Sequence, residues 1–176
     1  IAEVYGVMRD GLGMTAAGIA PVFARWNDGT LRSYLVEISA KVASAADPHG
    51  KGPLLDMIVD AAGQKGTGRW TAIEALNLAA PIPVIEAAVM ARNVSARQGE
   101  RAAGEALYGP APSRTGVSLD DLEQALIAGK VLCYAQGFAM MTAAAGEFDW
   151  ALDLPGVARV WRAGCIIRSA MLNDMA

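Results

Sequence analysis

The chain has 176 residues, of which 53% are hydrophobic, 19% charged and only 6% aromatic, with a net charge of −3 and a pI near 5.1. Its length fits one domain with a sizeable core, its alanine-rich composition favours packed helices over sheets, and an acidic balance without a basic stripe excludes nucleic acid as the expected partner. Mean hydropathy is high at +0.28; because no apolar run approaches the ~18 residues of a membrane span, no membrane partner is expected, and a second copy or a further domain should cover the surplus apolar surface.

At the start, Ile1, Val4, Tyr5, Met8 and Leu12 follow helical spacing and predict an amphipathic helix ended by Gly11 and Gly13. Without an initiator methionine, a signal peptide or a capping residue, the chain is expected to begin inside a helix. Thr15 reads as the N-cap of a helix carrying Ile19, Val22, Phe23 and Trp26 and stopped by Asn27-Asp28-Gly29, with Pro21 tolerable only near its first turns. Thr30 or Ser33 caps the next, with Leu31, Tyr34, Leu35, Ile38 and Val42 as one stripe. The run 47–53 is a loop by composition. Its His49, the one histidine, reads as a solvent-exposed turn residue. For Leu54 to Asp60, periodicity leaves helix and strand open.

The stretch from Asp60 to Trp70 follows, with Gly63-Gln64-Lys65-Gly66-Thr67-Gly68 at its centre. Gly63, Gly66 and Gly68 let backbone amides come close to a ligand, a following helix adds open N–H groups and a positive dipole end, and Lys65 and Thr67 add side-chain donors. The combination suits a phosphate or carboxylate. It matches neither a P-loop, since Gly68 is followed by Arg69-Trp70, nor the Rossmann fingerprint, which needs a third glycine and a βαβ pattern. A plain helix start after a glycine turn is the competing reading.

Thr71-Ala72-Ile73-Glu74 reads as a capping box for a helix that continues through Leu76, Leu78 and Ala79 to Pro81. A helix from about Val84 toward Arg97 places Ile85, Ala88, Val89 and Val94 inward and carries Arg92, flanked by apolar turns. Gln98 to Leu107 reads as a charged helix, stopped by Tyr108-Gly109-Pro110-Ala111-Pro112-Ser113 before a short exposed loop. Ser118-Leu119-Asp120-Asp121 is a second capping box. Its helix, through Leu122, Leu126, Val131, Tyr134, Phe138 and Met141 to about Ala145, is apolar nearly all round and is expected to be central. Phe148-Asp149-Trp150 and 152–155 form a bend, and Val157, Val160, Trp161, Ile166 and Met171 predict one or two closing helices around Gly164. Cys133 and Cys165 lack metal-ligand spacing and read as reduced core residues of a cytosolic protein, so no metal is expected. The fold class that emerges is all-α, a single multi-helix domain over residues 1–176 with roughly eight or nine helices.

At the central stretch the sequence resembles the 6-phosphogluconate dehydrogenases, the decarboxylating enzymes of the pentose phosphate pathway. Asp60 and Gly63 to Trp70 reproduce that family's signature. The resemblance extends to Glu3-Val4-Tyr5, to Phe23-Ala24-Arg25-Trp26-Asn27, to Val89-Met90-Ala91-Arg92, to Tyr134-Ala135-Gln136-Gly137-Phe138, and to the run from Trp161 to Ser169. It implies the helical C-terminal domain of an oxidoreductase that binds NADP mainly through an N-terminal Rossmann domain, oxidises 6-phosphogluconate and releases CO2 to give ribulose 5-phosphate. It further implies that Lys65, Thr67 and Arg92 hold the substrate phosphate. The family's catalytic lysine and glutamate are expected just upstream of Ile1, and the tail that reaches into the partner subunit's site beyond Ala176, so no catalytic residue is expected in this chain. Glu3, Asp60 and Glu74 read as surface or capping groups.

The expectation is therefore a substrate-binding and dimerising part of a cytoplasmic enzyme, inactive alone, that binds 6-phosphogluconate and forms a homodimer. A non-catalytic helical interaction module is the alternative. A related 3-hydroxyacid dehydrogenase domain is a third reading, weakened by the Gly-Gln-Lys-Gly-Thr-Gly run.

Overall fold

The computed structural model describes residues 1–50, 52–110 and 116–176. Lys51 of the predicted loop, and Ala111, Pro112, Ser113 and the rest of the predicted exposed loop up to residue 115, lie outside them. The described residues form eight α-helices and no named strand, the all-α class expected. They fall into two compact units. The first holds the described parts of Ile1–Ile58, Ser113–Ala128 and Asp153–Ala176, and the second those of Val59–Pro112 and Gly129–Leu152.

In the first unit, α1 (Ala2–Gly6) runs on into a π-helical segment, Val7–Gly11, that buries Met8. Gly13, at φ +66°, turns the chain. α2 (Ala16–Asn27) starts as predicted, with the Thr15 hydroxyl accepting from the Gly18 N–H at 3.1 Å. Pro21 lies near the first turns of the helix, as expected, and has no N–H for the helix ladder. The helix holds nevertheless, because Ile19, Ala20, Val22, Phe23 and Trp26 are all buried around it. Phe23 and Trp26 meet edge to face at 5.7 Å.

α3 (Tyr34–Ser44) follows Ser33, whose side chain makes no cap bond; its hydroxyl donates instead to the Leu31 carbonyl at 2.9 Å. The buried face of α3 is Val36 and Ala43, and Val42, predicted inward, is exposed. A Tyr34-to-Val42 stripe and a Val36-to-Ala43 stripe are both apolar in sequence, and packing against α2 decides between them. The undecided segment after Pro53 is a single 3-10 turn, Leu54–Met57. His49 lies exposed in its turn, its N–H donating to Asp47 Oδ1 at 3.0 Å. At the end of the chain, α8 (Leu154–Trp161) and a 3-10 turn, Ala170–Asn173, contribute the buried Ala158, Met171 and Leu172. The Ala170 N–H donates to the Arg32 carbonyl at 2.8 Å and the Tyr34 N–H to the Arg168 carbonyl at 3.2 Å. Arg168 stacks on the Tyr34 ring at 3.9 Å.

The second unit is built from α4 (Thr67–Asn77), α5 (Pro83–Ser95), α6 (Gln98–Tyr108) and the later part of α7 (Leu119–Glu147). α4 begins four residues before the predicted capping box. Thr71 lies inside the helix, its hydroxyl donating back to the Thr67 carbonyl at 2.8 Å, and Glu74 accepts from Asn77 at 3.1 Å. Gly66, at φ +105°, makes the true boundary, a backbone turn that L side chains rarely adopt. In α5, Val89 is buried and Ile85 half-buried, whereas Ala88 and Val94, predicted inward, are exposed. The inner face thus runs Ile85, Val89, Arg92 at helical spacing. Gln136 of α7 accepts from the N–H groups of Val84 and Ile85 at 3.1 and 3.2 Å, capping α5 where Pro83 supplies no donor.

The Ser118 box starts α7 as predicted. The Ser118 hydroxyl accepts from the Asp121 N–H at 3.1 Å, and Asp121 accepts from the Ser118 N–H at 2.8 Å, which with the Ser118 hydroxyl holds its carboxyl below the usual range. The helix buries only Leu122 and Leu126, while Val131 and Leu132 are 43% and 48% exposed, so it is less central than its composition predicts. It also corrects the expectation about membrane length. Its 29 residues contain an 18-residue window of mean hydropathy 1.2, enough by length and composition alone to cross a bilayer. Alanine and methionine raise that average without making one aliphatic run, and Lys130, Gln136 and Thr142 interrupt it.

Candidate functional site

Within the second unit the stretch from 60 to 70 meets α5 at two points, Gly68 against Arg92 and Gln64 against Asn93. The chain has no regular structure from 59 to 65, and α4 then starts at Thr67 with no side chain capping it, so the N–H groups of its first turn stay open. Those open donors form the positive dipole end of α4, directly after the glycine motif in sequence.

The three glycines act differently. At Gly66 the positive φ is required, and a side chain there would also strike Trp70, whose ring lies 2.9 Å from where a Cβ would be. Trp70 therefore braces the turn from inside the helix, and its N–H donates to the Gly66 carbonyl at 2.9 Å. At Gly68 a Cβ would lie 3.0 Å from Arg92 Nη2 and 3.2 Å from Val89 Cγ2, so the missing side chain is what admits the guanidinium against the first turn of α4. Around Gly63 there is open space, and its backbone lies outside the left-handed region, so neither conformation nor packing demands a glycine there.

Lys65 and Thr67 are exposed, and among the described residues neither side chain makes a hydrogen bond or ion pair. Arg92 is half-buried, and its Nε is buried with no hydrogen-bond partner. A guanidinium held against a helix start, with Thr67 one position and Lys65 three positions before that contact in sequence, is the donor type that suits an anion with several acceptor oxygens.

Several residues that the sequence reading passed over fix this arrangement. The Gln64 side-chain amide donates to Asn93 Oδ1, joining the neighbour of Lys65 to the neighbour of Arg92. Arg101, on α6, donates from Nη1 to Asp60 Oδ2 at 2.9 Å and from Nη2 to the Asp60 carbonyl at 2.5 Å and the Ser95 carbonyl at 3.1 Å. Asp60, expected to be a plain surface or capping group, is on the surface but ion-paired. Arg101 carries no local signal, since it sits in an ordinary charged helix and its partner is 41 positions away. Gln136 is similarly silent in sequence apart from its place in the Tyr134-to-Phe138 run. Among the described residues no group of His, Cys, Asp and Glu side chains is arranged to hold a metal.

The geometry can be set beside known proteins. The family model described as 6-phosphogluconate dehydrogenase, C-terminal domain, matches residues 1–176. The chain is 48% identical to the decarboxylating 6-phosphogluconate dehydrogenase of Schizosaccharomyces pombe, over 99% of this chain and 36% of that protein. It is 42% identical to the enzyme of the same description from Lactococcus lactis subsp. lactis, over 99% of this chain and 38% of that one. Among solved structures, Plasmodium falciparum 6-phosphogluconate dehydrogenase, described as apo, with its cofactor NADP+ and with its substrate 6-phosphogluconate, superposes with a TM-score of 0.87 at 35% identity, over 98% of this chain and 38% of that one. The chain thus spans little more than a third of the length of these relatives. A helical fold, a signature loop turned at Gly66 and a model match over every residue together show that this chain belongs to the family of 6-phosphogluconate dehydrogenase C-terminal domains.

Proposed function

We propose that this chain is the part of an NADP-dependent, decarboxylating 6-phosphogluconate dehydrogenase that binds the substrate's phosphate, with Lys65, Thr67 and Arg92 as its donors. One observation carries the reading: the missing Cβ of Gly68 brings the Arg92 guanidinium against the first turn of the helix that Thr67 begins. A phosphate dianion loses much hydration on binding and needs several charge-assisted donors to offset that loss. Lys65 supplies a point charge, Arg92 a planar fork, Thr67 a short neutral donor, and the open amides of α4 the helix-terminal field.

The second unit offers the phosphate end of a sugar-acid site. It does not fit NADP as a dinucleotide cradle: the loop is preceded by irregular chain where a parallel strand would be needed, and the glycine spacing departs from the dinucleotide pattern. In the proposed enzyme the cofactor, the hydride transfer and the proton transfers belong to the rest of the longer protein, and the isolated chain binds 6-phosphogluconate without turnover. The cytoplasm is the compartment proposed for that enzyme.

The test is Lys65→Ala in the full-length enzyme. Losing one charge-assisted bond of about 1.5–3 kcal/mol predicts that KM for 6-phosphogluconate rises roughly ten- to hundredfold. An unchanged KM would remove Lys65 from the site and return the loop to a plain helix start.

A further inference from the structure

We propose that Arg101 is a positioning residue for this site: through one guanidinium it sets the root of the Lys65 loop against the end of the Arg92 helix. The inference rests on the phosphate-site reading above and deepens it. Asp60 stands five positions before Lys65, and the intervening chain has no regular structure to hold it. Ser95, the last residue of α5, stands three positions after Arg92. Nη2 of Arg101 reaches main-chain carbonyls on both sides, Asp60 at 2.5 Å and Ser95 at 3.1 Å, while Nη1 holds the Asp60 carboxylate at 2.9 Å.

The pattern of bonds argues for geometry over stability. The Asp60 side chain is 74% exposed and that of Arg101 33%, so the ion pair itself adds little to folding. Two of the three bonds go to backbone oxygens, whose positions set where the loop and the helix run. The Ser95 carbonyl is also among those that a helix C-terminus leaves without an internal donor. A planar fork makes these bonds together from one rigid group; an ammonium on a flexible stem does not reproduce that spacing. Fixing the loop in advance removes ordering entropy from the binding step. The interaction is the same before and after substrate turns over, so its loss appears in KM and not in kcat.

The experiment uses the full-length enzyme with Arg101→Gln, Arg101→Lys, Asp60→Asn and Lys65→Ala side by side. For Arg101→Gln, KM for 6-phosphogluconate and the inhibition constant of inorganic phosphate are both expected to rise about tenfold, with kcat and KM for NADP within about twofold. Arg101→Lys recovers only part of the loss. Asp60→Asn, which keeps both backbone acceptors, gives a smaller rise than Arg101→Gln. An Arg101→Gln enzyme with unchanged KM, or one whose kcat falls and NADP KM rises together with a drop in melting temperature, overturns the proposal. Should the glutamine variant fail to fold, Arg101→Lys decides: full wild-type KM and phosphate inhibition overturn the fork argument, and a specific rise in both supports it. If Lys65→Ala raises KM while the Arg101 variants do not, the positioning role alone fails. If Lys65→Ala leaves KM unchanged, the phosphate-site reading fails first.

Discussion

At the scale of single residues, the motif's glycines separate into a backbone requirement, a space requirement and neither. Gly66 needs its positive φ, and its missing side chain makes room for Trp70. Gly66→Ala is therefore expected to cost about 1–3 kcal/mol, measured by denaturant unfolding, against less than about 0.5 kcal/mol for Gly63→Ala at its open position. Equal costs would show that the turn does not depend on Gly66. Lys130 gives a second residue-scale prediction, because burial pushes its ammonium from the ordinary 10.5 down to about 8. Below pH 8 the lysine is charged in folded and unfolded chains alike, and the folded state carries the net cost of burial that the lowered value expresses. Between pH 8 and 10.5 only the unfolded state keeps the proton, so stability rises with pH across that window. Lys130→Met should accordingly melt at a higher temperature than the wild type at pH 7, with the gap narrowing as pH approaches 10.5. A gap independent of pH would mean that packing, and not charge burial, separates the two.

At the scale of elements, helices started by a side-chain cap were legible, and those started by a backbone turn or by a distant side chain were not. Thr15 and Ser118 cap α2 and α7 through bonds within three residues of themselves, which a sequence displays directly. α4 offered a convincing box at Thr71 to Glu74, yet it begins at Thr67, since Gly66 in the left-handed region turns the incoming chain before that box is reached. α5 has no cap of its own, and its first donors are met by Gln136, 51 and 52 positions away. Gln136→Ala is predicted to destabilise the protein by about 1–2 kcal/mol by leaving the Val84 and Ile85 N–H groups open. Gln136→Glu should retain most of that stability, since it keeps an acceptor and places negative charge at a helix N-terminus. Chemical denaturation of both variants checks the pair, and equal losses would count against capping.

At the scale of the whole molecule, burial is uneven. Most of the buried apolar residues described, from Met8 through Trp26 to Leu172, belong to the first unit, and the second holds Ala75, Ile82 and Val89. The second unit also carries exposed Val131 and Leu132 on α7, along with Ile73, Leu76 and Leu107. Apolar surface of this kind calls for cover, and a homodimer in which α7 takes part is the expected state of the full-length enzyme. Sedimentation at micromolar concentration checks it, and a stable monomer would count against it. What the sequence determined by itself was what short-range chemistry and a dense motif can encode: the all-α class, the caps of α2 and α7, and the Gly63-to-Trp70 loop with Lys65, Thr67 and Arg92 as candidate donors. Only the tertiary structure decided which apolar stripe of α3 and α5 turns inward, and that Arg101 and Gln136 are anchors. Those outcomes depend on partners tens of residues away, and a side chain's local pattern is the same whether or not such a partner arrives.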